Sequence, residues 1–407
     1  MEQQMDAHQE LETIAALLPD VTAIRRDIHA HPELAYEEHR TAGIVEQVLR
    51  GLGFEVATGI GGTGVVGTLR RGTSRRSVGL RADMDALGFQ EETGLPHRST
   101  VDGKFHGCGH DGHTAMLLGA ARHIAASVEF DGVVHFIFQP AEEGLGGAKA
   151  MIDDGLFERF ACDEVYAVHN WPDLPAGHFQ TRSGPIMAAA DRFEIVITGK
   201  GGHAALPHQT PDAILAAADL VLQLNTIVAR RVPASETAVL SVTMVQAGSA
   251  HNVIPAEVRV IGTVRSFEPA VQDRIEASLR AMVAGTARSH EVDVAVVYDR
   301  YYPATVNAPS CADRALAAAA LIPGVNSAPA PFPAFTSEDF SFMLEAKPGA
   351  YCWLGQGAGE GSPALHNPHY DFNDAVSGTG IAWFANIVRL SLGAPLEEGG
   401  AKEMGAQ

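Results

Sequence analysis

The sequence predicts an α/β protein in which a mostly parallel sheet is interrupted by a smaller inserted α/β unit. Short apolar segments alternate with helical segments from residue 20 to about residue 169, an alternation typical of parallel sheets with helical crossovers. From residue 192 to residue 301 the order becomes β-α-β-β-α-β, a motif that can fold by itself. The first pattern then resumes, and a length of 407 residues accommodates this organisation.

Periodic apolar positions and apolar runs define the elements of the first part. The spacing predicts helices over residues 20–31 and 37–52 and, after a glycine-rich loop, over residues 114–121. The apolar runs predict strands over residues 64–69, 77–82, 132–139 and 164–169. Because ligands gather at the carboxyl ends of parallel strands, functional side chains are expected at those ends.

The inserted unit is predicted to contain four strands and two long helices. The strands are 192–198, 237–246, 257–266 and 292–301, and the helices are 211–230 and 269–290. A helix from residue 310, a strand over 350–354 and a helix over 378–392 return to the first pattern, and residues 397–407 resemble a frayed tail. We therefore place the domain limits at 1–188, 189–302 and 303–407, with the first and last parts forming one domain.

Composition excludes several classes of protein. The net charge of -20 argues against nucleic-acid binding, because phosphates must be neutralised by Lys and Arg. The four cysteines show no paired spacing, which favours a reducing compartment. Residues 1–6 lack the basic and apolar segments that are typical of a signal peptide, and no apolar run approaches the ~20 residues that cross a bilayer. We expect a soluble cytoplasmic protein with neither nucleic acid nor membrane as a partner.

A nine-residue stretch, FHGCGHDGH over residues 105–113, carries the strongest chemical signal. It brings Cys108, His110 and His113 together with a carboxylate, and glycines separate them. Cysteine and histidine are ligands that transition metals prefer, and glycine lets a backbone approach an ion closely. The apolar helix that follows would hold these side chains still. The stretch therefore predicts a metal or catalytic site, although a glycine-rich turn with incidental histidines is the plainer alternative.

Further candidates stand at the ends of predicted strands. Glu142 and Glu143 follow the strand 132–139, His169 ends the next strand, and His366 lies near the C-terminus. Together with Cys108 they come from four segments that converge on one sheet edge. Adjacent glutamates rarely point the same way, so one can bind a metal while the other moves a proton.

Eight motifs in a fixed order carry a resemblance to a known family. They are RADMDAL (81–87), CGHDGH (108–113), QPAEE (139–143), GKGGHAA (199–205), NVIP (252–255), GTVR (262–265), SEDF (337–340) and LH (365–366). With these motifs the chain resembles the metallopeptidase family of hippurate hydrolases, N-acyl-amino-acid amidohydrolases and auxin-conjugate hydrolases, related to aminoacylases and carboxypeptidases. The resemblance covers nearly the whole chain.

The resemblance implies a site with two divalent metal ions, which could be manganese, zinc, cobalt or nickel. Cys108, as a thiolate, is similar to the ligand that both ions share. The remaining ligands implied by the resemblance are His110, Glu143, His169 and His366. Glu142 is similar to the family's general base, acting on a water held between the ions, and Asp83 matches a residue that orients a ligand. His113 is expected to orient the loop or line the pocket.

The resemblance also implies roles for the inserted unit. It matches a ferredoxin-like (βαββαβ) lid and dimerisation domain on a catalytic domain with a mostly parallel sheet. Its His203 resembles a residue that stabilises the oxyanion, in its own or in a neighbouring subunit. Asn252 and Arg265 resemble groups that hold the substrate carboxylate, a task that suits the planar fork of arginine.

The implied activity is metal-dependent hydrolysis of the amide bond of N-acyl amino acids, hippurate-like or N-acetylated, by a homodimer or a dimer-based assembly. Three alternatives stay open. The same site could serve a dipeptidase or carboxypeptidase. Cys108 could act as the nucleophile of a thiol hydrolase, which would need an activated thiolate. The chain could also be a relative that binds metal or peptide without catalysis.

Overall fold

The computed structural model describes residues 2–357 and 362–393. The predicted tail at 397–407 lies outside these residues. Contacts between Cα atoms divide the chain into two compact units. The first unit comprises Met1–Arg182, Ala308–Pro329 and Ala346–Gln407, and the second comprises Ser183–Asn307 and Ala330–Glu345. The functional domain limits predicted from the sequence, 1–188, 189–302 and 303–407, remain a prediction.

The elements are numbered in chain order. The helices are α1 (Glu2–Ala30), α2 (His39–Gly51), α3 (His110–Ser127), α4 (Gly147–Asp153), α5 (Leu156–Arg159), α6 (Ala213–Leu224), α7 (Thr226–Arg231), α8 (Pro269–His290), α9 (Pro309–Ala320), α10 (Phe340–Ala346) and α11 (Ser377–Leu392). The strands are β1 (Glu55–Ile60), β2 (Gly64–Arg71), β3 (Ser77–Asp83), β4 (Gly132–Gln139), β5 (Glu164–Pro175), β6 (His178–Thr181), β7 (Gly184–Met187), β8 (Ala189–Thr198), β9 (Gly202–His203), β10 (Ala238–Ala247), β11 (Val253–Ile254), β12 (Glu257–Ser266), β13 (Asp293–Tyr302), β14 (Thr305–Asn307), β15 (Asn326–Pro329) and β16 (Gly349–Gly357).

The first unit is built on an eight-stranded mixed sheet of order β1-β2-β4-β3-β5-β16-β6-β15. Its centre, from β4 through β3 and β5 to β16, is parallel. Strands β3, β4 and β16 are buried along their whole length, as continuous apolar runs in a parallel sheet should be. Helices α1, α3 and α11 pack against one another over this core. The predicted α/β fold with a large, mostly parallel sheet is confirmed.

The second unit contains a four-stranded antiparallel sheet of order β10-β12-β8-β13. Along the chain its elements follow as β8-α6-α7-β10-β12-α8-β13. On β8 the apolar residues Phe193, Ile195 and Ile197 alternate with more exposed ones, so one sheet face is buried with the apolar sides of α6 and α8. Strand β10 lies at one edge of this sheet and β13 at the other.

Two predicted helices differ from those observed. Helix α1 begins at Glu2 rather than at residue 20, because Pro19, which suggests a helix start, is accommodated inside it. The helix predicted over 211–230 is two helices, α6 and α7, which meet at Asn225. Helix α6 starts after Asp212, whose side chain accepts hydrogen bonds from the Ile214 and Leu215 amides. No helix of the described residues is long and apolar enough to cross a membrane.

Candidate metal centre

The parallel register brings three strand ends to one level. Asp83, the last residue of β3, lies opposite Gln139, the last residue of β4. Arg81 on β3 pairs with Ala167 on β5, so His169, two residues further along β5, is level with Asp83. The chain after β4 carries Glu142 and Glu143. The predicted convergence of candidate residues at the carboxyl edge of the sheet therefore follows from strand register.

Helix α3 begins at His110, directly after a left-handed glycine. Gly109 has φ of 95°, and a Cβ atom there would lie 2.4 Å from Asn170 Oδ1, so only glycine fits. This turn fixes where His110 leaves the backbone. His110 Nδ1 lies 2.9 Å from the Asp85 carbonyl oxygen and 3.2 Å from Asp85 Oδ1. These acceptors place the proton on Nδ1, which leaves Nε2 as the atom free to bind a ligand.

His110 Nε2 is a buried polar atom without a hydrogen-bond partner among the described residues. A carboxylate oxygen of Asp83, Oδ2, lies 3.7 Å away. Burial lowers the pKa of His110, but Asp83 and Asp85 outweigh burial and raise that pKa to about 10. The carboxylates around this buried imidazole stabilise positive charge at this position, whether it comes from a proton or from a metal ion.

Asp83 contacts a second histidine more closely than it contacts His110. Its Oδ1 lies 2.6 Å from His113 Nδ1, and its Oδ2 accepts a hydrogen bond of 2.7 Å from Arg81. His113 Nε2 in turn lies 2.6 Å from Asn170 Oδ1. Burial raises the pKa of Asp83, but Arg81 and the histidines hold it well below its usual range. Asp83 is therefore a buried carboxylate anion whose nearest imidazole is that of His113.

Glu142 and Glu143 lie in a turn after Pro140. The Glu143 amide donates a 2.9 Å hydrogen bond to Asp85 Oδ2. The side-chain oxygen Oε1 of Glu143 lies 3.2 Å from His366 Nε2. Glu142 is 7% exposed. Glu142 is therefore buried, whereas Glu143 is partly exposed.

Cys108 and His366 approach the same point from different segments. Cys108 Sγ lies 3.5 Å from His169 Nε2. Burial, with Glu143 and Glu142 nearby, raises the pKa of the Cys108 thiol. His366 has φ of 64°, and its amide donates a 2.8 Å hydrogen bond to the Gly107 carbonyl, which ties the C-terminal loop to the loop before α3.

Among the described residues, potential ligand atoms form overlapping groups whose members lie within 4.8 Å of one another. Three groups lie within the first unit: Cys108, Glu143 and His366; His110, Glu142 and Glu143; and Asp83, His110, His113 and His169. The structure thus brings together all five residues predicted as ligands, with Glu142 and Asp83 beside them. Thiol, imidazole and carboxylate donors in one place, with the unpartnered His110 Nε2, fit divalent transition metals.

The second unit holds the three other predicted site residues. His203 on β9 pairs with Val253 on β11, and the Ala204 amide donates to the Asn252 carbonyl, so His203 and Asn252 are neighbours. Both are exposed. Arg265 lies on β12, where its Nη1 donates to the Val264 carbonyl at 2.9 Å.

The sequence did not identify Asp85 or Asn170 as part of the site. Asp85 stands in the RADMDAL motif, two residues after Asp83, and lies beyond the end of β3, where strand alternation no longer predicts direction. Asn170 follows His169 and contacts His113 on the other side of the site. Two acids in one motif at a strand end were a usable signal for Asp85.

Comparison with known proteins relates this site to a family. Residues 79–390 match the family described as peptidase family M20/M25/M40. The chain is 40% identical over 365 residues to a hippurate hydrolase of Campylobacter jejuni, a match that covers 89% of this chain and 94% of that protein. It is 38% identical over 357 residues to thermostable carboxypeptidase 1 of Saccharolobus solfataricus, covering 86% of this chain and 90% of that one.

A solved structure has the same fold. The YXEP protein of Bacillus subtilis, described as a dinuclear metal binding peptidase from the M20 family, matches with a TM-score of 0.81 at 32% identity. The match covers 93% of this chain and 99% of that chain.

Proposed function

The chain belongs to peptidase family M20/M25/M40 and is a metal-dependent amidohydrolase, and from this premise we propose that it hydrolyses the amide bond of N-acyl amino acids, hippurate-like or N-acetylated. The observation that carries the proposal is the overlap of the three ligand groups at the carboxyl edge of the sheet, with Glu142 among them. The similarity to a hippurate hydrolase over 89% of the chain supports the choice of substrate class.

The proposed cofactor is a pair of divalent ions, which manganese, zinc, cobalt or nickel could provide. Cys108 would be shared between the ions, and His110, Glu143, His169 and His366 would complete their binding. When bound, such ions act as Lewis acids and bring the pKa of a bound water close to 7. Burial and the neighbouring glutamates raise the pKa of the Cys108 thiol, so the metal-binding thiolate would form only with the ions beside it.

Glu142 is the proposed proton carrier. Its carboxylate accepts a proton from the attacking water and then donates that proton to the nitrogen of the leaving amino acid. Positioned general acid–base catalysis of this kind contributes about 10²–10⁴-fold to rate. The burial of Glu142 at 7% exposure supports the role, because a proton carrier works best shielded from bulk water.

The second unit is the proposed ferredoxin-like lid and dimerisation domain. Its β10-β12-β8-β13 sheet and chain order support the first part of this assignment. His203 would donate a hydrogen bond to the oxyanion, in its own subunit or in a partner's. Asn252 and Arg265 would bind the carboxylate of the substrate's amino acid.

A homodimer is the proposed assembly, through the edge strand β10 and the outer side of α6. Leu222 is 71% exposed, Leu215 59% and Val245 54%. Exposed apolar side chains on an edge strand and its neighbouring helix are typical of subunit interfaces. The four cysteines are unpaired, which supports a cytoplasmic location.

A dipeptidase or carboxypeptidase is the second candidate function, and similarity to thermostable carboxypeptidase 1 favours it. The thiol hydrolase alternative is weaker, because burial and the neighbouring carboxylates disfavour a free Cys108 thiolate. A role in metal or peptide binding without catalysis is also weaker, because it would not require a carboxylate such as Glu142 beside the ligand groups.

A hydrolysis screen separates these functions. Metal-reconstituted protein should release amino acid from N-benzoyl, N-acetyl or long-chain acyl substrates faster than from dipeptides, and EDTA should abolish that release. Faster cleavage of dipeptides would favour the second candidate. Activity that survives EDTA would favour a thiol enzyme, and bound metal without any turnover would favour a binding protein.

A further inference from the structure

The turn that carries Glu142 is held from both sides by buried acids. Glu38 Oε1 accepts a 2.9 Å hydrogen bond from the Ala141 amide, and Asp85 Oδ2 accepts a 2.9 Å hydrogen bond from the Glu143 amide. The two amides flank Glu142 in the chain. Glu38 comes from the start of α2, and no motif singled it out.

Both acids are buried, and both oxygens of each carboxylate have a polar contact. Glu38 is 0% exposed and Asp85 1%. The second oxygen of Glu38 accepts a 2.5 Å hydrogen bond from the Thr63 hydroxyl, and the second oxygen of Asp85 faces His110 Nδ1 at 3.2 Å. A buried carboxylate is costly unless it is hydrogen-bonded, so each acid is kept for the contacts that it makes. Each one ties the turn to a different part of the first unit.

The backbone of this turn is strained where the acids hold it. Ala141 has φ of 53°, in the left-handed region. That conformation is unfavourable for alanine, because its Cβ atom comes too close to the following carbonyl oxygen. Such strain persists when the surrounding structure fixes it, and it concentrates at functional sites. The hydrogen bond from the Ala141 amide to Glu38 is a contact that fixes it.

We propose that Glu38 and Asp85 are positioning residues that clamp the Ala141 and Glu143 amides and thereby aim the Glu142 carboxylate. The length of the Glu38 side chain is what matters, because its carboxylate must reach both the Ala141 amide and the Thr63 hydroxyl. Asp85 also joins the turn to His110, so the general base and a ligand histidine share one support. This inference rests on the proposed role of Glu142 and adds a residue, Glu38, that acts on it from α2.

Two substitutions at Glu38 separate reach from charge. Glu38→Gln keeps the length and an acceptor oxygen but removes the charge. Glu38→Asp keeps the charge but is one CH₂ group too short to make both contacts. The adjacent and exposed Glu37, which pairs with Lys104 at 2.7 Å, supplies the control Glu37→Gln. Thr63→Val, which removes only one contact to Glu38, is a milder variant should Glu38→Asp fail to fold.

The variants are compared by steady-state kinetics with an N-acyl amino acid that the wild type hydrolyses, and by hydrogen exchange of residues 139–147 in metal-free protein. We expect Glu38→Asp to lower kcat by about 10- to 100-fold with little change in KM, because misplacing a catalytic group by about 1 Å has that effect. Thr63→Val should lower kcat less. Glu38→Gln should stay within about twofold of wild type, because its amide oxygen can still accept from the Ala141 amide while its NH₂ group donates to the Thr63 hydroxyl. Glu37→Gln should also stay within about twofold. Exchange of residues 139–147 should rise in Glu38→Asp alone among the Glu38 and Glu37 variants.

Several results would overturn the inference. Folded Glu38→Asp or Thr63→Val protein with wild-type kcat and wild-type exchange would show that the contacts do not position Glu142. A larger loss in Glu38→Gln than in Glu38→Asp would show that charge matters rather than reach. The proposed function fails separately, when wild-type protein has no turnover on any acyl substrate, and hydrogen exchange then still decides whether the clamp exists.

Discussion

Two adjacent glutamates receive different surroundings at this site. The Glu143 side chain lies against His366, and its amide is bound by Asp85. Glu142 is buried beside the same ligand groups. Both side chains leave one turn after Pro140, and one carboxylate oxygen of each lies within 4.8 Å of the other. The proposed division of labour between the two glutamates therefore depends on their different contacts and burial.

Replacing Glu142 tests the division of labour directly. Glu142→Ala should lower kcat by about 10²–10⁴-fold, because it removes the proposed proton carrier. Bound metal should not change, since the five proposed ligands remain. Kinetics and elemental analysis of the same sample measure both quantities, and Glu129→Ala at an exposed position is the control. A variant with nearly intact kcat, or one that loses its metal, would contradict the assignment.

The sequence predicted which residues meet at the site better than it predicted their contacts. Glu143 and His169 come together because the parallel strands β4 and β5 end at one edge, which the apolar pattern predicts. The inclusion of Cys108, His110 and His366 was implied by the family resemblance. The partners of Asp83 could not be predicted in the same way. Its contact with His113 rather than His110 depends on side-chain rotamers and on the left-handed turn at Gly109. The spacing of residues in the sequence predicts neither the rotamers nor this turn.

At the scale of single elements, β4 carries a buried titratable group away from the candidate site. His135 is 3% exposed, and its Nδ1 lies 2.9 Å from the Thr68 hydroxyl on β2. Burial, helped by Arg70, lowers the pKa of His135 to about 4. The folded protein therefore keeps His135 neutral at pH values where the unfolded chain protonates it.

This difference predicts a loss of stability in acid. Because the pKa of His135 is lower in the folded protein than in the unfolded chain, protonation of this group favours unfolding. The free energy of unfolding is therefore unaffected by His135 above its unfolded pKa of 6.5 and decreases as pH falls from there toward 4. At pH 5 the loss from this group is about 2 kcal/mol. His135→Asn should remove that part of the loss, so the wild type should lose about 2 kcal/mol more than the variant between pH 7.5 and 5 in urea unfolding. Equal losses would contradict the role of His135.

Elements with an uninterrupted pattern could be predicted to the residue. The observed bounds of β4, β12 and α8 are those read from the sequence. Elements with interruptions could not. Pro19 hid the first part of α1, and the break at Asn225, between α6 and α7, falls inside one apolar period. Packing decides such cases, because burial outweighs the local cost of a proline or a break.

At the scale of the whole molecule, the second unit has an apolar outer surface that a monomer would leave exposed to water. It joins α6 and the edge strand β10, and Leu222 is its most exposed large apolar residue at 71%. Leu222→Glu should convert the proposed dimer into a folded monomer, because a charge would be buried without a partner. Sedimentation velocity measures the change. Val297→Glu on the opposite edge strand, at a residue 65% exposed, should leave the dimer intact.

A Leu222→Glu protein that stays dimeric would contradict this interface. The same sample would also report on His203, because a residue that acts in the partner's site loses its effect in the monomer. Loss of kcat on dissociation would therefore place His203 in trans, and unchanged kcat in the monomer would place it in cis.

The most direct test of the central claim is anomalous X-ray scattering from crystals of protein loaded with manganese or zinc. We expect two anomalous peaks among Cys108, His110, Glu143, His169 and His366, with the sulfur of Cys108 in contact with both and Glu142 bound to neither. An absence of peaks there, or a peak that Glu142 ligates directly, would contradict the account of a metal pair served by a separate proton carrier.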